Sequence, residues 1–529
     1  MKSINKIILA VALMLVYTSC VNDLDVVPID PDDQTTATLY DDPSAYEGIL
    51  AKIYAGLVTT GQQGPAGQGD VAGIDEGFSS YFRQYWYHQE LTTEEAVMAW
   101  NDQTIKDFHW QTWGAGDIFI QGMYSRIYYQ ITLANEFLRE TTDAKLSDRG
   151  VDPALTEEIR GFRSEARFLR ALSYWHVLDL FGGGAPFVTE EDAIGAFLPM
   201  PTTNQDLFDY VEGELLAIET ELPIPGGNEY GRVDQGAVWM LLGKLYLNAQ
   251  VYIDTDRNSD VITQMDKVIN ANYALAPEYE HNFLADNHTS PEIIFGAATD
   301  GTNSQSWGST TFIVHAAIGG SMVDSDFGVS GAWGGTRTTS GLVNKFADPS
   351  GATDARAMFH TDGQTLEIED VGVFGQGYAV TKWKNLDQSG NPGSDLTHVD
   401  VDFPVFRLAD AYLMYAEAVL RGGNGGDATV AFNLVNALRE RAYGDTSGNI
   451  LAGDLTLDFI LDERARELYG ECHRRTDLIR YGRFSETDYM WPWKGNSPEG
   501  ASVAAYRDLF PIPSSDLAAN PNLIQNEGY

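Results

Sequence analysis

The residues with the clearest chemical potential are tryptophans set among polar neighbours. Arg83-Gln-Tyr-Trp-Tyr87 leads into Trp100-Asn101-Asp102-Gln103, and Ser306-Trp307-Gly308-Ser309 and Trp333-Gly334-Gly335-Thr336-Arg337 follow much later. A sugar presents flat faces of C–H groups that stack on an indole, and its hydroxyls call for Arg, Asn, Asp or Gln close by. Core packing is the competing use of any tryptophan. It is the weaker reading for Trp307 and Trp333, whose Gly and Ser neighbours build no apolar surround. At Trp100 the two readings balance, because the preceding Ala96-Val97-Met98-Ala99 is apolar.

Signals for bond-making chemistry are scarce. There is no His-Glu-x-x-His pair, no Gly-x-Ser-x-Gly elbow and no phosphate-binding Gly-rich loop ending in Lys-Ser/Thr. Carboxylate pairs such as Glu94-Glu95 suit glycoside hydrolysis, but 76 acidic residues supply such pairs by composition alone. Asp254-x-Asp256-x-Asn258 opens like a calcium loop, lacks the glycine and closing glutamate, and reads as a polar inter-helix loop. No catalytic residue, metal or cofactor is therefore assigned. Against those 76 acids stand 34 Lys and Arg, a formal net charge of −42. That repels phosphate backbones and excludes nucleic acid as a partner, leaving neutral or cationic ligands.

The N-terminus predicts export. Lys2 and Lys6 precede an apolar run from Ile7 to Val16, too short for a membrane span and right for a signal-peptide core. Tyr17-Thr18-Ser19-Cys20 follows, and small residues before a single cysteine resemble a bacterial lipobox, with Tyr17 where leucine is usual. On this reading residues 1–19 are a signal peptide, Cys20 is lipidated, and residues 20–40 tether the fold to the membrane. The only other cysteine is Cys472, so no disulfide is expected.

Helical periodicity dominates the rest. Asp152-Pro153 is an N-cap and first-turn pair, and Ile159, Phe162, Ala166, Leu169, Leu172 and Trp175 recur at helical spacing until Gly182-Gly183-Gly184. Arg160, Arg163, Arg167 and Arg170 fall mostly off that stripe and read as a solvated face paired with Glu157, Glu158 and Glu165. Trp239-x-x-Leu242-Gly243-x-x-Tyr246 matches the first helix of a tetratricopeptide repeat. Tyr412-x-x-Tyr415-Ala416-x-x-Val419 repeats it loosely, with Ala428-x-x-x-Phe432 in register for the second helix. Helices are also predicted over Phe459–Leu468 and Ile118–Leu138. Residues 286–400, rich in Gly, Ser, Thr and Asp, read as loops and short strands inserted in the scaffold. The proline-punctuated tail reads as an extended surface wrap. The fold class is mostly α: a tetratricopeptide-like scaffold over residues 41–529 with long irregular loops.

Several ordered segments carry a family resemblance. Val21-Asn-Asp-Leu-Asp-Val-Val-Pro-Ile-Asp30 after Cys20, Ser164-Glu-Ala-Arg-Phe-Leu-Arg-Ala-Leu-Ser-Tyr-Trp175, Phe406-Arg-Leu-Ala-Asp-Ala-Tyr412, Arg474-Arg-Thr-Asp-Leu-Ile-Arg480 and Pro511-Ile-Pro with Gln525-Asn-Glu-Gly-Tyr529 together resemble the SusD/RagB family, surface lipoproteins of Bacteroidetes. The resemblance spans essentially the whole chain. It implies four tetratricopeptide-like units, a loop-built glycan site, and a partner, a SusC-like TonB-dependent outer-membrane transporter over which the lipoprotein sits as a lid. Asp75-Glu-Gly77, Ala99-Trp-Asn-Asp102 and Tyr489-Met-Trp-Pro-Trp-Lys-Gly495 are most similar to the starch-binding member. Carrying over that member's aromatic arc implies a site of Arg83, Trp100, Gln103, Trp307 and Trp333, flanked by Asn101 and Asp102. Gln103 stands where an asparagine is expected, and Trp307 where a tyrosine is.

An arc of aromatics follows a curved α-1,4-glucan and needs no catalytic acid. A curved β-1,3-glucan such as laminarin satisfies the same argument. The expectation is a non-catalytic, outer-membrane, outward-facing glycan-binding lipoprotein; a glycoside hydrolase and a purely adhesive lipoprotein are the alternatives.

Overall fold

A computed structural model describes residues 36–195 and 197–529. The signal segment, Cys20 and the tether up to residue 35 lie outside the described residues. The helices of seven residues or more are, in chain order, α1 (Ala45–Ala55), α2 (Tyr81–Gln89), α3 (Gln103–Trp110), α4 (Ile118–Glu140), α5 (Pro153–Leu180), α6 (Asn204–Ile218), α7 (Gln235–Leu247), α8 (Asn258–Ile269), α9 (Ser309–Ala317), α10 (Leu408–Leu420), α11 (Ala428–Tyr443), α12 (Leu457–Leu468) and α13 (Arg474–Arg480). The fold is mostly helical, as the periodicity predicts.

The Asp152 carboxylate accepts from the Ala154 N–H and Pro153 opens α5, while the whole predicted stripe from Ile159 to Trp175 is buried. That stripe packs α5 between α4 and α6. The scaffold continues as α7 against α8, α8 against α10, and α10 against α11. Both repeat motifs sit where the pattern puts them. A Cβ on Gly243 would fall 2.4 Å from Met265 Cε, so a side chain of α8 fills the notch that this glycine leaves in α7. The Tyr415 hydroxyl on α10 accepts from the Asp427 N–H that opens α11. Asp254, Asp256 and Asn258 form the turn into α8, where Asp256 accepts from the Asn258 N–H. Among the described residues no cluster of His, Cys, Asp and Glu has metal-site geometry.

Six short strands pair in twos: β1 (Val97–Met98) with β3 (Thr336–Arg337), β2 (Ile293–Ala297) with β6 (Phe403–Arg407), and β4 (Phe359–His360) with β5 (Ala379–Val380), all antiparallel. Strands β2 to β5 lie in the predicted loop region, which also contains α9. All nine residues of α9 are buried. A helix buried on every side has no polar face, so it leaves no amphipathic stripe to read.

Two readings are corrected. Of the α5 arginines only Arg160 is a solvated partner of Glu157. Arg170 is buried and bridges Glu190 and Glu214, Arg167 pairs with Glu214, and Arg163 donates to the Leu138 carbonyl. Glu165 is buried against Arg232. These partners lie far along the chain, beyond the reach of local spacing rules. Nor is the tail only a surface wrap. Phe510 and Ile512 are fully buried. Phe510 lies 4.7 Å from the Trp113 ring, and its N–H donates to the Leu180 carbonyl at the end of α5.

Buried charge ties the loop region to the helices. Arg407 at the end of β6 is 1% exposed and reaches Glu292 at 2.8 Å, Glu467 at 2.7 Å and Glu471 at 2.6 Å. From the loop region, Arg356 pairs with Glu463 and Glu467, and Lys382 with Glu471. Every charge is out of water, so removing one partner strands the others. Replacing Arg407 with leucine is expected to cost about 3–5 kcal/mol in urea unfolding, whereas Arg160→Ala at the solvated pair should stay within about 0.5 kcal/mol.

A second cluster carries a pH signature. Burial pushes the Glu90 carboxyl up to about 7, and burial together with the Glu90 charge pushes Glu95 up as well. Acids with raised folded-state pKa values hold an extra proton in the native state. Their contribution is complete below the ordinary carboxylate range and is lost as pH rises through about 7. The Tm of Glu90→Gln relative to the parent should therefore become more favourable between pH 5 and pH 8 in thermal melts.

Candidate functional site

Trp100 lies two residues beyond the end of β1. The β1–β3 ladder sets Val97 opposite Arg337 and Met98 opposite Thr336, and the Ala99 N–H extends it to the Gly335 carbonyl at 2.9 Å. This brings the Trp100 indole against the backbone of the 333–335 turn. A Cβ on Gly335 would lie 2.8 Å from the Trp100 ring, so the close approach needs glycine. The same turn caps α9. The N–H groups of Trp333, Gly334 and Gly335 donate to the carbonyls of His315, Ile318 and Ala316 at the end of the helix, where carbonyls lack successive intrahelical donors. Gly334 adopts φ +56°, the left-handed conformation that makes this reversal cheap.

The three tryptophans from distant segments form one surface. Trp333 is central, its ring 6.3 Å from Trp100 at a tilt of 42° and 6.1 Å from Trp307 at 55°. Successive tilts of that size make the platform curved. All three indoles are half-buried, and Trp100 Nε1 donates to the Trp333 carbonyl at 3.1 Å. Trp100 is thus partly a core residue, with part of its ring beside Phe312 and the rest at the surface.

Arg83 on α2 ties the arc together from beneath. Its Nη1 donates to the carbonyls of Gly77 and Trp307, its Nε donates to the Tyr87 hydroxyl, and its guanidinium lies 4.4 Å from the Phe312 ring and 5.8 Å from Trp100. Nη2 makes no hydrogen bond among the described residues, which leaves one donor edge for a ligand. Asn101, Asp102 and Gln103 are exposed where the chain enters α3. Asn101 accepts from Lys106, and Gln103 Nε2 donates to Asp107, leaving its amide oxygen outward. The arc therefore has hydroxyl-binding groups at its Trp100 end.

Sequence reasoning missed what lies behind the rings. His315 stacks on Trp333 at 4.9 Å and 20°, and His398 packs 4.6 Å from Trp307. Neither histidine sits in a recognisable motif, and α9 gives no stripe that marks His315. Asp75, in a segment noted only for its resemblance, holds the Gly77 N–H and so shapes the carbonyl that Arg83 uses. A cavity of about 660 Å³ lies elsewhere, between the end of α5, α13 and the tail around Tyr506 and Asp508, and contains none of the predicted site residues. Glu94 and Glu95 are buried too, Glu94 against Arg474 and Tyr489, so neither faces the arc's open surface.

Comparison with known proteins follows the same lines. A family model described as the SusD family matches residues 369–529. The chain is 34% identical to Starch-binding protein SusD of Bacteroides thetaiotaomicron over 97% of its own length and 96% of that protein's. The chain belongs to the SusD family. Another relative of this SusD-family protein is a SusD-like protein of Formosa agariphila, 27% identical over 71% of the chain and 75% of the relative. Among solved structures, a SusD superfamily protein from Bacteroides vulgatus shares the fold at TM-score 0.69 and 18% identity, covering 92% of this chain and 99% of that one. Surface glycan-binding protein A of B. thetaiotaomicron, solved in complex with laminarihexaose, does so at TM-score 0.66 and 19% identity, covering 91% and 99%.

The Gly335 contact is testable without any ligand. Gly335→Ala should push the Trp100 indole off the turn, with an overpacking cost of about 1–3 kcal/mol. Near-ultraviolet circular dichroism should change while the far-ultraviolet spectrum stays helical.

Proposed function

We propose that this SusD-family protein is a non-catalytic glycan-binding lipoprotein of the cell surface that captures starch or maltooligosaccharide and delivers it to a SusC-like TonB-dependent transporter. In this reading residues 1–19 are removed, Cys20 carries the lipid that anchors the chain in the outer membrane, residues 20–40 form the tether and residues 41–529 do the binding. Arg83, Trp100, Asn101, Asp102, Gln103, Trp307 and Trp333 make the site.

The observation that carries the proposal is the arc itself: three neighbouring indoles, each tilted from the next, with amide and carboxylate groups at one end. A curved, uncharged chain of sugars matches that shape and that polarity. The 34% identity to a protein named for starch binding supports α-glucan as the ligand. The fold-level likeness to a protein solved with laminarihexaose keeps a curved β-1,3-glucan as the second reading. The transporter rests on the family resemblance. Anchoring is assigned to Cys20 on the lipobox-like Tyr17-Thr18-Ser19-Cys20; no described helix is long and apolar enough to cross a membrane.

Affinity gels cast with starch, laminarin and pullulan test the reading. Retardation by starch and pullulan but not laminarin is expected, and the reverse pattern would select the β-glucan. Trp100→Ala and Trp333→Ala should each cost about 2 kcal/mol or more, roughly 30-fold in affinity. Because the ligand is neutral, binding should hardly change between low and physiological salt. Sustained release of reducing ends by the purified protein would instead establish a hydrolase.

A further inference from the structure

His315 occupies an unusual position. It is 1% exposed, and both ring nitrogens face carbonyl oxygens: Nδ1 lies 2.7 Å from the Gly331 oxygen and Nε2 lies 3.0 Å from the Thr397 oxygen. A carbonyl oxygen only accepts, and a neutral imidazole has one N–H to give. In the neutral state one of the two contacts therefore sets lone pair against lone pair. Only the imidazolium satisfies both.

The two carbonyls belong to the two segments that carry and back the arc. Gly331 opens the turn Gly331-Ala332-Trp333, and the Trp333 N–H returns to the His315 carbonyl at 3.0 Å. Thr397 immediately precedes His398, whose ring packs on Trp307. His315 itself stacks under Trp333. One side chain therefore touches the central indole and the backbone of both supporting segments. The titratable groups facing it are His398, which disfavours its charge, and Asp324, which favours it and whose carboxylate accepts from the Gly331 N–H at 2.9 Å. Burial outweighs these and pushes His315 below the ordinary histidine range, so the neutral ring prevails at neutral pH and the second bond forms on acidification.

We propose that His315 is a positioning residue of the aromatic arc, and that its protonation clamps the Trp333 turn to the segment behind Trp307, so that the arc holds a neutral glucan more tightly as pH falls. The proposal rests on the reading of the arc as a glycan site. If bound glucan favours the clamped arrangement, binding and protonation favour each other by linkage.

Titration of maltoheptaose into the full chain between pH 8 and pH 4 tests it. The parent should gain about threefold or more in affinity across that range. His315→Gln, whose amide donates to one carbonyl at any pH, should bind near the parent's pH 8 level with no slope. His315→Phe keeps the stack, loses both bonds and should bind more weakly throughout; if it fails to fold, the glutamine variant decides. A parent without a slope, or a His315→Gln protein that keeps it, overturns the clamp. A ligand-free readout separates this outcome from failure of the glycan reading. An imidazolium stacked on Trp333 should quench its fluorescence on acidification, and that quenching should vanish in His315→Gln and in Trp333→Phe. If no glucan binds but the quenching behaves this way, the glycan reading fails and the positioning role stands. Quenching that survives in His315→Gln overturns the role.

Discussion

The rest of the structure depends on the buried charge cluster around Arg407. Its carboxylates come from α12, from Glu471 just beyond it and from Glu292 just before β2, while its cations come from β6, α11 and the loop region. The helical scaffold can form from its own apolar stripes. The loop region is tied to that scaffold where Arg356 meets Glu463 and Glu467 and Lys382 meets Glu471, all of them buried. The cluster thus holds against the helices a Gly- and Ser-rich stretch that also carries Trp307 and Trp333. Net stability is a poor reason to bury so many ions; a single allowed geometry is a better one.

Rigidity matters for the proposed glycan site, because rings that already hold their relative tilts incur no ordering cost when a ligand arrives. Each ring is accordingly held from behind by hydrogen-bonded backbone: the Trp307 carbonyl on Arg83, the Trp333 N–H on the end of α9, and Trp100 on the β1–β3 ladder. The heavy negative charge plays no visible part in this surface. Around the arc, the Arg83 edge and Lys106 stand beside Asp102, Asp107 and Asp324, a mixture of both signs.

Much of this was legible in the sequence, and the boundary has a physical meaning. Features set by neighbours within one helix turn could be read: the Asp152 cap, the α5 stripe, the Trp239–Tyr246 motif and its notch at Gly243. The tryptophans were marked by what surrounded them, and the structure brings Trp100, Trp307 and Trp333 together across more than two hundred residues. What stayed hidden depends on distant partners. Arg170 looked like surface because its acids, Glu190 and Glu214, are remote in sequence. Phe510 looked like wrapping because its neighbours Trp113 and Leu180 lie some 330 residues or more upstream. His315 stayed hidden because a helix buried all round gives no phase, and its role is written in two carbonyls that no side-chain pattern records.

The tail's place in the core bears on the order in which the molecule can be made. Glu94 meets Arg474, Gln89 meets Thr476 and Trp113 meets the Tyr529 hydroxyl, pairs separated by 380, 387 and 416 positions. A chain delivered N-terminus first holds α2 and its surroundings without these partners until almost everything else has emerged. The interior around Glu94 and Trp113 is therefore a late junction, joined only after the repeat helices have already stacked. Until then Gln89, Glu94 and Trp113 lack the partners that the segment from Arg474 to Tyr529 brings.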